Sequence, residues 1–415
     1  MTLTRHHARA IALAAQRLDR PASAGDPAAL ESTLEEAGFV RTLGGVDVYL
    51  ALHARVGDLE RHHLDDAAAE RRAQVLPSAR GCIYLVPQRF AGDALSLAEH
   101  LTAPRSRREL DKAGVEPGEI DRVGSAVLEV LSDGPLGTQA LRKNLPEGLV
   151  RSLGDVGKKI GVSSTLPPTL RQLEFDRRIV RQVATGRLDT ERYLWQRIDG
   201  ERSDVDPKAL HRRLAALFLR AAGVSTPRAF AAWSGLKQGE SKAAFAGLDT
   251  VSVEVDGEKE PHAVLAERAA WLNDDWLESP GDGPDAETVG FLPFGDNLVA
   301  LRGGPAFWVD PEHHGIPVPV WGRGRGSTLG DVHQSMLRPI VAGGRIVGFW
   351  EFDPDAHTAT TAVFADVGEE TRGRIESRRV EVGAFLAEQL GHGRSFSLDK
   401  DESLRRRVAQ LKQLA

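Results

Sequence analysis

The sequence predicts an α+β fold of several units, in which clusters of short helices each end in strands and a small β-sheet or barrel follows. Three observations predict it. Apolar residues recur at helical spacing in "EIDRVGSAVLEVLSDG" and again in "DPKALHRRLAALFLRAAG". Alternating segments follow both clusters, and β-like runs broken by Gly and Pro occupy 285 to 368. At 415 residues the chain is too long for one ordinary core, while 41% apolar and 27% charged residues place it among globular proteins.

The elements follow in order. Ala8, Ile11, Ala12, Ala15 and Leu18 mark a first helix. In "DPAALESTLEEAGF", Asp26 caps, Pro27 takes the first helical position and Gly38 ends the turn. "VDVYLALHARV" is a further helix and "GCIYLVP" a strand closed by Pro87, which completes a first unit over 1–103. "TAPRSRRELDKAGVEPGE" has no apolar period in its first half and reads as a connector.

In the second unit, 117–200, "EIDRVGSAVLEVLSDG", "GTQALRKNLP" and "LPPTLRQLEFDRRIV" are three helices, the last with Thr165 as cap and its prolines in the first turn. "RRIVRQV", "ATG" and "RLDTERYLW" read as a hairpin around a tight turn. Three helices closed by a hairpin is the winged-helix order. It recurs about 85 residues later, at 205–270, so tandem winged-helix motifs are expected. In 285–370, "NLVALR", "FWVD", "RPIVAGGRIVGFWEFD" and "TATTAVFADV" read as strands, with a hairpin at the "GG". Helices fill 371–415.

The net charge of −6 means that nucleic acid can be met only by a local basic face. Between 169 and 197 there are seven Arg against four Asp plus Glu. On the third helix and its wing, Thr169, Arg171, Gln172, Arg177, Arg178, Arg181, Arg187 and Arg192 offer donors suited to phosphates and base edges. A solvated hairpin with Arg and Glu paired across strands accounts for the same charges. Arg323 and Arg325 in "WGRGRGS" lie among glycines that let backbone approach a phosphate, although neither a strand-to-helix pattern nor a lysine makes this a nucleotide loop.

The single cysteine, Cys82, reads as a small buried hydrophobe. Three adjacent histidine pairs lack the i, i+4 spacing of a metal site, so no metal and no cofactor are expected. The first 21 residues lack a signal-peptide core and no run is long enough to span a membrane, so a cytoplasmic protein with no membrane partner is expected.

Taken together, "LALHARVG", "GCIYLVP", "LRQLEFDRRIVR", "RYLW", "RRLAALFLRAAGVSTPRAFAAWSG", "FLPFGDNLVALR" and "GGRIVGFW" give a chain that resembles the AlkZ/YcaQ-type family of winged-helix DNA glycosylases over about residues 5 to 370. The resemblance implies tandem winged helices and a β-barrel around a concave basic surface for double-stranded DNA. It also implies removal of alkylated or crosslinked purines by cleavage of the N-glycosidic bond. A cationic alkylpurine leaves readily, so such an enzyme mainly positions water and stabilises a positive sugar.

In the family a Gln-x-Gln or Gln-x-Asp motif does this. The corresponding positions here are Arg41, Thr42 and Leu43, or with a small shift Ala37, Gly38 and Phe39. Neither set holds Gln or Asp, and an Arg opposes a cationic transition state. Asp47 is the nearest substitute, though a carboxylate at a helix start also serves the amide dipole. Gln16 and Asp19 are a second option. Three readings follow: a glycosylase working through Asp47, a non-catalytic DNA-binding regulator or lesion sensor, and a small-molecule or antibiotic-binding resistance protein.

Overall fold

The computed structural model describes residues 1–202, 204–278, 288–320 and 327–414. Strand β1 (Thr2–Leu3) and helix α1 (Arg5–Ala15) precede a first unit made of β2 (Ala22–Ser23), α2 (Pro27–Glu36), β3 (Val40–Arg41), α3 (Asp47–His53), β4 (Val56–Gly57), α4 (Arg61–Ala69), β5 (Ala73–Pro77) and β6 (Ile83–Pro87). Asp26 caps α2 by accepting from the Ala28 amide at 2.9 Å, as its position predicts. Strands β3, β6 and β5 form an antiparallel sheet in that order, and β2 pairs with β4. Apolar faces of α2, α3 and α4 close on the sheet through Leu34, Val48, Leu52, Leu64, Val75 and Leu85, all buried.

The segment read as a connector is the second half of α5 (Ala91–Lys112), a 22-residue helix with Pro104 inside. Its apolar period stops because the second half is largely solvated. There Arg105 bonds Glu109 one turn on, at 2.7 Å. Cys82 is half-buried rather than buried.

The second unit comprises α6 (Pro117–Val130), β7 (Leu136–Gly137), α7 (Thr138–Asn144), α8 (Gly154–Ile160), α9 (Leu166–Phe175), β8 (Ile179–Val183) and β9 (Tyr193–Arg197). Its sheet order, β7-β9-β8, matches that of the first unit. Val123, Val127, Leu170, Leu173, Ile179 and Trp195 fill its core, where α6 packs on α9. Thr165 does not cap α9 with its side chain; its hydroxyl accepts from the Arg151 amide. The expected tight turn between β8 and β9 is a nine-residue loop, 184–192, because the second strand begins only at Tyr193.

The third unit comprises α10 (Pro207–Ala222), α11 (Pro227–Ser234), α12 (Gln238–Ala246), β10 (Thr250–Val255) and β11 (His262–Leu265), with caps from Asp206 and Thr226. An isolated bridge joins Ser225 to Ala263, repeating the short-strand position of the other units. Strand β1 joins β10 in parallel, and Arg9 on α1 donates to the carbonyls of Phe307 and Val309.

Beyond α13 (Asp274–Glu278), the C-terminal sheet holds β12 (Val289–Phe291), β15 (Arg338–Ala342), β16 (Arg345–Asp353) and β17 (Thr358–Val363), in that order and antiparallel. Among the described residues no pairing joins β12 to β17, so the sheet-or-barrel expectation resolves to an open sheet. Gly343 and Gly344, with φ of 55° and 73°, make the two-residue hairpin that the sequence predicts. "NLVALR" is instead α14 (Asn297–Ala300), capped by Asp296, and "FWVD" begins inside a single helical turn, Pro305–Phe307. Short apolar runs do not separate strand from buried helix, which explains both differences. Strands β13 (Pro317–Val318) and β14 (Ser327–Thr328) form a small pair. Helix α15 (Glu369–Ala384) packs on β12 and β17, and α16 (Asp401–Leu411) packs on β16.

Candidate nucleic-acid interface and the first-unit cavity

A cleft of about 480 Å³ gathers residues from three units and α5. Arg80 comes from the β5–β6 hairpin, Arg105 from α5, Arg171 from α9, and Gly235 from the end of α11. Three arginines against Glu109 leave this cleft basic, and Arg80 and Arg171 make no ion pair with any described residue. The adjoining groove of about 950 Å³, shared through Arg171, is different. Six carboxylates (Glu99, Asp111, Glu116, Asp121, Asp176, Asp204) outnumber four arginines (Arg107, Arg108, Arg171, Arg202) along it, so it repels a phosphate track.

The arginine-rich stretch divides in the structure. Arg171, Arg178 and Arg192 are exposed and make no ion pair among the described residues. The others serve the fold. Thr169 is buried and its hydroxyl donates to the Thr165 carbonyl at 2.8 Å. Gln172 bonds the Asp176 carboxylate. Arg177 is half-buried in a left-handed turn, φ 56°, that carries α9 into β8.

Arg181 donates to Glu174 at 2.7 and 3.0 Å and lies over the rings of Tyr193 and Trp195. Arg187 binds Asp189 and donates to the Leu390 carbonyl at 2.8 Å. Strand alternation cannot reveal these partners, since Glu174 sits on the preceding helix and Leu390 lies 203 residues away. Arg323 and Arg325 lie outside the described residues. Arg80 and Arg105 were missed by sequence reasoning. The signal for them is the strand "AQVLP" that pairs with "GCIYLVP", and the helix that continues through "TAPRSRRELDK".

In the first unit, Arg41, Asp47, Arg55 and Asp296 line a cavity of about 20 Å³, room for one water. Both carboxylates are engaged. Asp296 receives both terminal nitrogens of Arg55 at 2.9 and 2.7 Å, and those nitrogens also donate to Gln16 and the Ala51 carbonyl, while Nε is buried without a partner among the described residues. Asp47 accepts from Arg338 at 2.9 Å. Arg338 also holds Glu351 at 2.6 Å, and Arg407 ties Glu351 to Asp399.

Burial pushes the Asp47 carboxyl up to about 6, against the pull of Arg338. Arg41 makes no ion pair among the described residues. Leu43 contributes its carbonyl to the Ser397 amide, and the Ala37 carbonyl accepts from Asn297. Asp19 is buried and its carbonyl accepts from Thr288. Among the described residues no three His, Cys, Asp or Glu side chains are grouped to hold a metal ion, and no helix is long and apolar enough to cross a membrane.

The family model described as "DNA glycosylase AlkZ-like" matches residues 45–385. The chain belongs to the AlkZ-like family. Its fold is similar to that of the Streptomyces sahachiroi DNA glycosylase AlkZ, with a TM-score of 0.67 at 17% identity, covering 95% of this chain and 99% of that one. No curated protein sequence matches it. The family match begins at Gly45, so Arg41 and Leu43, the positions that the resemblance assigns to the AlkZ-like motif, lie just ahead of it.

Proposed function

We propose that this AlkZ-like protein binds duplex DNA through three winged-helix units and that its first-unit cavity does not excise bases. What carries the binding is the convergence of Arg80, Arg105 and Arg171, supplied by separate elements, on one cleft. Exposed guanidinium groups so arranged neutralise phosphates and release counterions. The cavity supports the second half of the proposal. Its two carboxylates are each held by a buried guanidinium, and an unpaired arginine stands where a cationic sugar would need a lone pair. A role in the recognition of damaged DNA in the cytoplasm fits this reading.

One observation favours active base excision instead. Asp47, ionised above about pH 6, faces a space that holds one water and could orient it as a base. One experiment separates the two. The protein is incubated in excess with duplex DNA carrying N7-alkylguanine, and both binding and abasic product are measured. Binding without abasic product is expected. Abasic product above the protein-free rate, abolished by Asp47→Asn, would replace the binding reading with the enzymatic one.

A further inference from the structure

We propose that the β8–β9 loop, residues 184–192, is a strap that locks the second unit onto the first and thereby sets where Arg171 stands in the basic cleft. This rests on the DNA-binding reading above. In a free wing the loop would project into solvent, whereas here Leu188 is 1% exposed and belongs to the first unit's core. Its amide donates to the Tyr49 hydroxyl at 2.8 Å, and that hydroxyl donates to Asp65 at 2.5 Å. Burial, with Asp65 adding to it, pushes the Tyr49 hydroxyl up, so it stays a donor at any ordinary pH.

On either side of Leu188, polar bonds complete the hold. Asp189, itself buried, accepts from Arg187 and from His392 at 3.0 Å, and Glu191 takes the Ser397 hydroxyl. Gly44 meets the loop so closely that a Cβ there would lie 2.9 Å from the Glu191 amide nitrogen. Gly44 also has φ of 70°, so both space and backbone favour glycine.

The strap reaches the cleft through a short rigid path. Strand β8 enters the loop and carries Arg181, and Arg181 makes a two-pronged bond to Glu174 on α9. Helix α9 in turn presents Arg171 to the cleft. Leu188, Tyr49 and Asp189 are therefore positioning residues. They touch no DNA and fix the spacing of groups that do. Releasing the strap lowers the fraction of molecules with Arg171 in register, and apparent affinity falls by that fraction.

The test uses the full chain, a labelled duplex and a salt series, with Leu188→Ala and Tyr49→Phe as variants. Leu188→Ala is expected to weaken binding about tenfold with the salt slope of the parent, and Tyr49→Phe to act in the same direction to a smaller degree. Arg171→Ala should instead reduce the slope by about one. Unchanged affinity in Leu188→Ala overturns the proposal, and so does a reduced slope, which would make the loop a direct phosphate contact. Tyr49→Phe keeps the core volume and decides the matter if Leu188→Ala fails to fold. Hydrogen exchange gives an independent readout. The Leu188 amide should exchange at least about 100-fold more slowly than in an unstructured loop. If the parent binds no duplex, the DNA reading falls while this protection still tests the strap, and an unprotected Leu188 amide sinks it.

Discussion

Asp47→Asn should flatten the pH dependence of stability between about pH 4 and 7. The parent carboxyl is raised from the ordinary 3.8 to about 6, first by burial and against the pull of Arg338. A folded state that holds a proton more tightly than the unfolded chain is most stable, relative to it, below pH 3.8. That advantage is lost as pH rises through 6. The difference corresponds to about 3 kcal/mol at 1.36 kcal/mol per pKa unit. Asparagine mimics the protonated side chain and keeps an oxygen for Arg338, so the variant does not carry this loss.

Denaturant unfolding of parent and variant across pH 4 to 8 measures it, and subtracting one curve from the other cancels every other titrating group. One such group is Asp189, which hydrogen bonds from His392 and Arg187 hold below the usual carboxylate range despite its burial. The variant should gain on the parent progressively from pH 4 to 7, by about 3 kcal/mol in all, because the parent's penalty grows as its carboxyl ionises and levels off above about pH 6. Parallel curves, or a parent that gains on the variant as pH rises, would refute the assignment of Asp47 as a buried carboxyl whose ionisation burial opposes.

Other outcomes follow from the same geometry. Arg80→Ala and Arg171→Ala should each weaken duplex binding and reduce the slope of log Kd against log salt by about 0.9, measured by anisotropy; an unchanged slope would remove them from the DNA face. Arg181→Ala should leave Glu174 buried without its ion pair and cost about 3–5 kcal/mol in denaturant unfolding. A stable Arg181→Ala protein with a reduced salt slope would show that Arg181 reaches DNA after all. Asp296→Ala should cost a similar amount, about 3–5 kcal/mol, because it strands the fully buried Arg55 guanidinium. A near-neutral effect would mean that water reaches that pair.

Local punctuation was legible in the sequence and distant partnership was not. Asp26 with Pro27 announced α2, and Gly343 with Gly344 announced the β15–β16 hairpin, because capping and left-handed turns are decided within a few residues. Helix α8 escaped because "GDVGKKI" has almost no apolar period, and the far half of α5 because it is wet on most sides. Asp47 was legible as a candidate carboxylate, but Arg338, which stands 291 residues away and decides its chemistry, was not. Arg181 looked DNA-facing because a charge pattern shows only that a guanidinium exists, and not that Glu174 has claimed it.

The pairing of β1 with β10 has a consequence for how the chain is made. Thr2 and Leu3 lie beside Glu254 and Val255, and Arg9 needs the carbonyls of Phe307 and Val309. At about 5–20 residues per second, the ribosome supplies the last of these partners only about 15 to 60 seconds after the opening segment emerges. During that interval α1 can meet α10, and Gln16 beside it can meet Arg55, but the carbonyls that fix Arg9 do not yet exist. The segment of β1 and α1 is thus made well before the residues that complete its placement, and its final seat forms only once the chain around 309 has emerged.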